Sequence, residues 1–224
     1  MQNERDMLTF SSARINFPLL QPVTFMGKAY PTAAENLFSQ GHHEITDQFG
    51  VYFLTLTVTG WVDLFTRGQC RNIVLDSLAY ARKAKGLRLF SYVLMSNHVH
   101  LLAAAEKESQ GLSAIIRDVK RHTSKRLIET VHDHPREFRR HWMEQIFSHS
   151  DNLNERISGY RVWQPGNRPI RCISRNFTQQ KLNYIHMNPV RAGIVDHPVD
   201  YRLSSARNYA GRKDYVLEVT VLDL

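Results

Sequence analysis

The chain is 224 residues long, 42% hydrophobic and 22% charged, which suits one globular domain with appendages and excludes wholesale disorder. No apolar run approaches the ~18 residues of a membrane helix, the first ten residues are too polar for a signal peptide, and the two cysteines, Cys70 and Cys172, form neither a disulfide framework nor a metal-type pair, so a reducing cytosol is expected. Lys and Arg number 29 against 21 Asp and Glu, a net charge of +8, and a basic surface favours polyanions, nucleic acid before anionic membrane.

Residues 1–41 show no helical or strand period, and Pro18, Pro22 and Pro31 interrupt them; they are expected to be a poorly ordered arm. The folded domain is expected over 42–210, with 211–224 as a tail. In residues 51–60, Leu54, Leu56 and Val58 alternate with Phe53, Thr55, Thr57 and Thr59, which predicts a strand with one apolar face. Ile73, Val74, Leu78 and Ala81 then recur at helical spacing across 69–84, and Gly86 punctuates the end. Residues 87–95 and 98–104 read as two strands joined by a Ser96–Asn97 turn, a hairpin.

Leu112, Ile115, Ile116, Val119 and Leu127 mark the apolar stripe of a second helix, whose other face carries Arg117, Lys120, Arg121, Lys125 and Arg126. Residues 131–159 have weak periodicity and read as a connection holding a short helix near 139–147. Residues 160–163 and 170–173 are short strand candidates around the turn Gln164-Pro165-Gly166-Asn167. Ser174 or Asn176 caps a helix that runs to about Met187, where Pro189 stops it, because a residue before proline resists the α region. A serine-rich turn follows, then an edge strand over 215–222. The order βαββαβ plus a further helix predicts an α+β fold: a ferredoxin-like antiparallel sheet with two helices on one face.

Charge and chemistry concentrate in particular places. Residues 111–175 carry 13 Lys and Arg against 7 Asp and Glu, so +6 of the +8 lies there. In Asn97-His98-Val99-His100, the two histidines are i and i+2 on a strand and share a face, with Val99 turned into the core. Adjacent imidazoles chelate divalent metals, although two histidines at this spacing on a polar sheet face also arise by chance. Tyr184 and Asn188 are i and i+4 on a helix, and Lys181 lies one turn earlier on that face. Such a tyrosine can be a nucleophile with the amide oxygen as a metal ligand, or a ring packed at a helix end with its hydroxyl in water. His42, His43, His122, His132, His134, His141 and His149 fit no metal motif. His186 points off the Tyr184 face and reads as a packing or DNA-side residue.

The segments Tyr92-Val-Leu-Met-Ser-Asn-His-Val-His-Leu-Leu102 and Tyr184-Ile-His-Met-Asn-Pro-Val-Arg-Ala-Gly193 resemble the HUH single-tyrosine transposases, and in particular the REP-associated tyrosine transposases that lie near bacterial palindromic repeats. The resemblance runs from about Gln48 to Tyr209 and includes Trp163-Gln-Pro-Gly-Asn-Arg-Pro-Ile170. It implies that His98 and His100 are the HUH pair, that Tyr184 is the catalytic tyrosine on the additional helix, and that Asn188 holds the third metal-ligand position. It further implies an endonuclease and strand transferase that nicks and rejoins single-stranded or hairpin DNA through a 5′-phosphotyrosine. Mg²⁺ or Mn²⁺ would act as Lewis acid and template, since a His/His/Asn set suits such ions better than a structural zinc.

Lys120, Arg121, Lys125, Arg126, Arg168 and Arg171 are candidate phosphate contacts. Lys181 is a candidate to assist the phenol or hold a phosphate, and Trp163 either stacks a base or is buried. The expected protein is a monomer or homodimer of the bacterial cytoplasm, used at the nucleoid, with no membrane partner. Two rival readings stand beside it. One is a domesticated palindrome-binding protein that no longer cuts. The other is a metal-dependent phosphodiester hydrolase that uses water and leaves Tyr184 structural.

Overall fold

Residues 44–133, 138–148 and 160–224 are described by the structure, a computed structural model. The arm expected over 1–41 and much of the 131–159 connection lie outside the described residues. The alternating segment forms β1 (Tyr52–Thr57). Helix α1 (Gly68–Ala84) follows, then the hairpin β2 (Leu87–Leu94) and β3 (His98–Ala105), then helix α2 (Leu112–Asp133). Helix α3 (Arg140–Ser148), strand β4 (Ile170–Arg171), helix α4 (Arg175–Arg191) and a single turn α5 (Ala206–Tyr209) complete the order. The sheet runs β2-β3-β1-β4 with every pair antiparallel, the topology that a ferredoxin-like βαββαβ order requires.

Period-two alternation sends the sheet's side chains into two cores. On one face Leu54, Leu56, Val99, Leu101 and Ala103 are buried with Val74 and Leu78 of α1 and Ile115, Ile116 and Val119 of α2. On the other, Phe53, Phe90, Val93, Leu102 and Ala104 pack with Leu182 and Ile185 of α4. Two helices therefore cover one face and the additional helix covers the other. At ~25 cal/mol per Å² of apolar area removed from water, this double burial is the main favourable term holding the layers together.

The hairpin closes over Ser96 and Asn97, with Met95 N–H donating to His98 O at 2.9 Å. Its register slips between Leu89 and Ser91. This bulge turns both Phe90 and Ser91 toward α4 while Leu89, Tyr92 and Leu94 face α1 and α2, a re-aiming that strict alternation does not foresee.

Three expectations are corrected. Helix α4 does not stop at Met187 but continues through Pro189 to Arg191. Pro189 removes only one ladder hydrogen bond near the helix end, and the last turn is closed by Ala192 N–H to Asn188 O at 3.0 Å and Ile194 N–H to Pro189 O at 2.9 Å. Residues 215–222 form no strand; Thr220 N–H bonds Leu89 O at 2.9 Å. Residues 160–163 contribute only an isolated bridge from Trp163 to Val58. Ser174 is the cap of α4, its hydroxyl accepting from Phe177 N–H at 3.2 Å.

Candidate active site

His98 and His100 stand side by side on β3, on the face that α4 covers. Val99 between them is fully buried on the opposite face. Across the sheet their register partners are Thr57 and Thr55 of β1. The imidazole centroids are 4.7 Å apart. Tyr184 descends from α4 onto the same spot, its ring 5.4 Å from that of His100 and 5.7 Å from that of Phe53. Phe53 in turn stacks on His100 at 5.1 Å.

Because α4 continues past Pro189, Lys181, Tyr184, Asn188 and Arg191 fall on one helical stripe. The Arg191 guanidinium lies 5.3 Å from the Tyr184 ring centroid. Lys181 Nζ is 5.0 Å from the Phe53 ring and 5.2 Å from that of Phe177.

The ring nitrogens are not equivalent. His98 Nδ1 is 2.7 Å from Asn97 Oδ1. An amide oxygen can only accept, so Nδ1 carries the proton and Nε2 keeps its lone pair. His100 Nδ1 is 3.0 Å from the Thr55 hydroxyl, on the strand directly opposite. Burial pushes the His98 imidazolium below its ordinary range. Burial first, then the charges of His98 and Lys181, push His100 down to about 3. Both imidazoles are therefore neutral near pH 7, the form that binds metal.

Among the described residues no group of three or more His, Cys, Asp or Glu could hold an ion. A site here must draw on other oxygens. Two neutral imidazoles and an amide oxygen such as that of Asn188, which shares the helix stripe of Tyr184, are N,N,O donor types that suit Mg²⁺ or Mn²⁺ with waters completing the shell. The Asn97 and Thr55 contacts are the kind of outer partner that orients ligating histidines.

Behind the tyrosine stripe, His186 is buried. Its Nε2 is 3.2 Å from Ser91 Oγ and 2.9 Å from Ser205 Oγ, and the two hydroxyls are 2.8 Å apart. This cluster ties α4 to β2 and to the turn before α5, so His186 is a packing residue. Burial pushes its imidazolium down to about 4.

The candidate phosphate contacts distribute otherwise than expected. Lys120, Arg121, Lys125 and Arg126 belong to α2, on the sheet face away from His98 and His100. Lys120 turns inward and donates to Gln164 O at 2.8 Å, Gly166 O at 2.9 Å and Asn167 Oδ1 at 3.1 Å. It bolts the 164–167 turn rather than facing solvent. Arg121 pairs with Asp118 at 2.8 Å, Arg126 with Glu129 at 3.9 Å and Arg171 with Asp47 at 2.6 Å. Lys125 and Arg168 are exposed. Only Lys181 of the seven stands beside Tyr184.

Trp163 is buried and donates from Nε1 to Thr123 Oγ1 at 2.8 Å, which removes the base-stacking reading. Cys70 is buried, and burial pushes the Cys172 thiol up to about 11, so neither is a poised nucleophile. Thr55, Phe53, Asn97, Arg191 and Trp61 complete the surroundings without having been singled out in the sequence. The i,i+2 rule marks Thr55 and Phe53 as facing one way, but not as facing His100.

The chain thus sets the His98–His100 strand of a ferredoxin-like sheet beneath the helix that carries Tyr184, and it is similar to known proteins in part of its sequence and in its fold. Residues 52–160 match the family model described as transposase IS200-like. The fold is similar to that of a REP-associated tyrosine transposase solved bound to a REP hairpin. The identity is 15%, 82% of this chain and 95% of that one are covered, and the TM-score is 0.54. A candidate transposase from Deinococcus radiodurans R1 aligns at 16% identity over 66% of this chain and 95% of that one, with a TM-score of 0.38. No curated protein matches the chain. No helix among the described residues is long and apolar enough to cross a membrane.

Proposed function

We propose that this protein is a transposase that nicks and rejoins single-stranded or hairpin DNA through Tyr184, with a divalent metal held by His98, His100 and Asn188. The observation that carries the reading is the convergence of the His98, His100 and Tyr184 rings, at centroid separations of 4.7 and 5.4 Å, from two elements of one chain. A bound Mg²⁺ or Mn²⁺ would supply charge neutralisation at a non-bridging phosphate oxygen. Tyr184, walled by Phe53 and His100, is oriented before substrate arrives, which lowers the entropic part of the barrier. Its oxygen attacks phosphorus in line. The Oη–P bond forms as the bond from phosphorus to the 3′ oxygen breaks, the phenolic proton leaves to solvent, and the departing strand gains a 3′-OH.

Lys181 and Arg191 flank the tyrosine on its own helix stripe and are suited to hold the anionic phosphate there. The phosphotyrosine keeps an activated ester, so a second 3′-OH reverses the reaction and joins strands. Because one chain contributes both histidines and the tyrosine, we read the enzyme as acting in cis. The hairpin bound by the transposase that shares this fold makes a stem–loop the first substrate to try.

The test is a denaturing gel of hairpin oligonucleotides drawn from DNA flanking the gene, with Mn²⁺ or Mg²⁺. Wild type should give a denaturant-resistant protein–DNA band, abolished by Tyr184→Phe and by His98→Ala. Cleavage without an adduct that survives Tyr184→Phe would assign the reaction to water and refute the transferase. Binding without cleavage would leave a DNA-binding protein.

A further inference from the structure

Trp61 is the feature of this face that the chemistry above does not use. Its indole is 56% exposed. Its backbone is in the left-handed region, φ +56°, following Gly60 at φ +65°. A bulky residue there is a genuine outlier, and such strain persists only when surrounding contacts over-determine it.

Those contacts are visible. Trp61 N–H donates to Val58 O at 3.0 Å, Val58 N–H donates to Asn97 O at 2.9 Å, and Asn97 Nδ2 donates to Trp61 O at 3.3 Å. From outside, α3 braces the turn: a Cβ on Gly60 would lie 2.7 Å from Ile146 Cγ2. The turn is thus welded to the residue that also fixes His98, because Asn97 Oδ1 accepts a hydrogen bond from His98 Nδ1–H at 2.7 Å. The indole stands 6.5 Å from the His98 ring, edge on, with much of its surface in water.

We propose that Trp61 is the stacking platform for a nucleobase next to the scissile phosphate. This rests on the transferase reading. A base is tethered to its phosphate by one sugar, so an aromatic face at the rim of the histidine pair is placed for the base adjoining the attacked phosphorus. Single-strand binders combine such platforms with positive charge, and this chain carries +8. An indole serves any base, so Trp61 holds the strand in place without reading its sequence. Through Asn97, the same contact bears on the orientation of His98.

The experiment compares two probes with identical phosphates, dT20 and an abasic 20-mer, by fluorescence anisotropy on protein carrying Tyr184→Phe to prevent turnover. Trp61→Gly suits the left-handed backbone and should remain folded. It is expected to weaken dT20 binding by roughly 10-fold while abasic binding changes less than about twofold, and Trp61→Phe should recover most of the loss. Equal weakening of both probes, no weakening, or no preference for dT20 in the parent protein would overturn the platform. The adduct gel with Tyr184 intact separates the two claims. An adduct with no base-selective Trp61 effect sinks only the platform, and a base-selective effect with no adduct sinks only the transferase.

Discussion

Thr55→Val isolates the hydrogen bond that aims His100. Valine has the shape of threonine and favours strands, so β1 should keep its pairing and no cavity should open. What is lost is the hydroxyl 3.0 Å from His100 Nδ1. His100 is 6% exposed, so water cannot readily replace that partner. With Nε2 as the metal-binding nitrogen, Nδ1 carries the proton, and a buried N–H left without an acceptor costs about 1–3 kcal/mol.

The imidazole can also flip, presenting either nitrogen, and loss of such an outer partner typically weakens metal affinity about 10–100-fold. The two figures agree, since 1.4 kcal/mol corresponds to about tenfold. The assay is adduct yield against Mn²⁺ concentration. Thr55→Val should raise the half-saturating concentration about 10-fold or more, and Thr55→Ser, which keeps the hydroxyl, should stay within about threefold of wild type. A Thr55→Val midpoint equal to that of wild type, with the adduct still dependent on His98 and His100, would refute the argument that this bond orients the ligand.

Two further outcomes follow from the geometry. Buried His186, held down to about 4 against an ordinary 6.5, resists protonation more in the folded chain than in the unfolded one. Its contribution is therefore intact above pH 6.5 and is lost as pH falls toward 4; urea unfolding at pH 7.5 and 4.5 should show His186→Gln losing roughly 2 kcal/mol less on acidification than wild type, and parallel losses would contradict the assignment. Lys120→Met should destabilise the fold by about 1–3 kcal/mol by removing the donor to the 164–167 turn. The salt dependence of single-strand binding should be unchanged, whereas deletion of a true phosphate contact would lower the logarithmic slope by about 0.7.

Much of this molecule is legible in one dimension. Strand alternation at 51–60, the hairpin turn at Ser96–Asn97 and the apolar stripe of α2 each depend on neighbours within a few residues, and so does the shared face of His98 and His100. The antiparallel α+β order follows from these pieces in sequence. Local rules misjudge features where packing overrides propensity. Pro189 resists a helix, yet α4 continues because Pro189 sits at the helix end and is buried beneath it. The bulge at Phe90 reverses the expected alternation, and residues 215–222 read as a strand but make no ladder.

The site divides in the same way. Residue types and short spacings mark His98, His100, Tyr184 and Asn188 as candidates, because a shared strand face and a helix face are local geometry. Periodicity says which way a side chain faces but not what stands opposite it. The sequence by itself therefore determines the paired imidazoles, the tyrosine stripe and the basic helix. Only the tertiary structure sends that basic helix to the far layer, turns Lys120 into a bolt, sets Thr55 against His100 and leaves Trp61 strained at the rim. Those outcomes depend on strand register and layer packing between residues tens of positions apart, which no local pattern encodes.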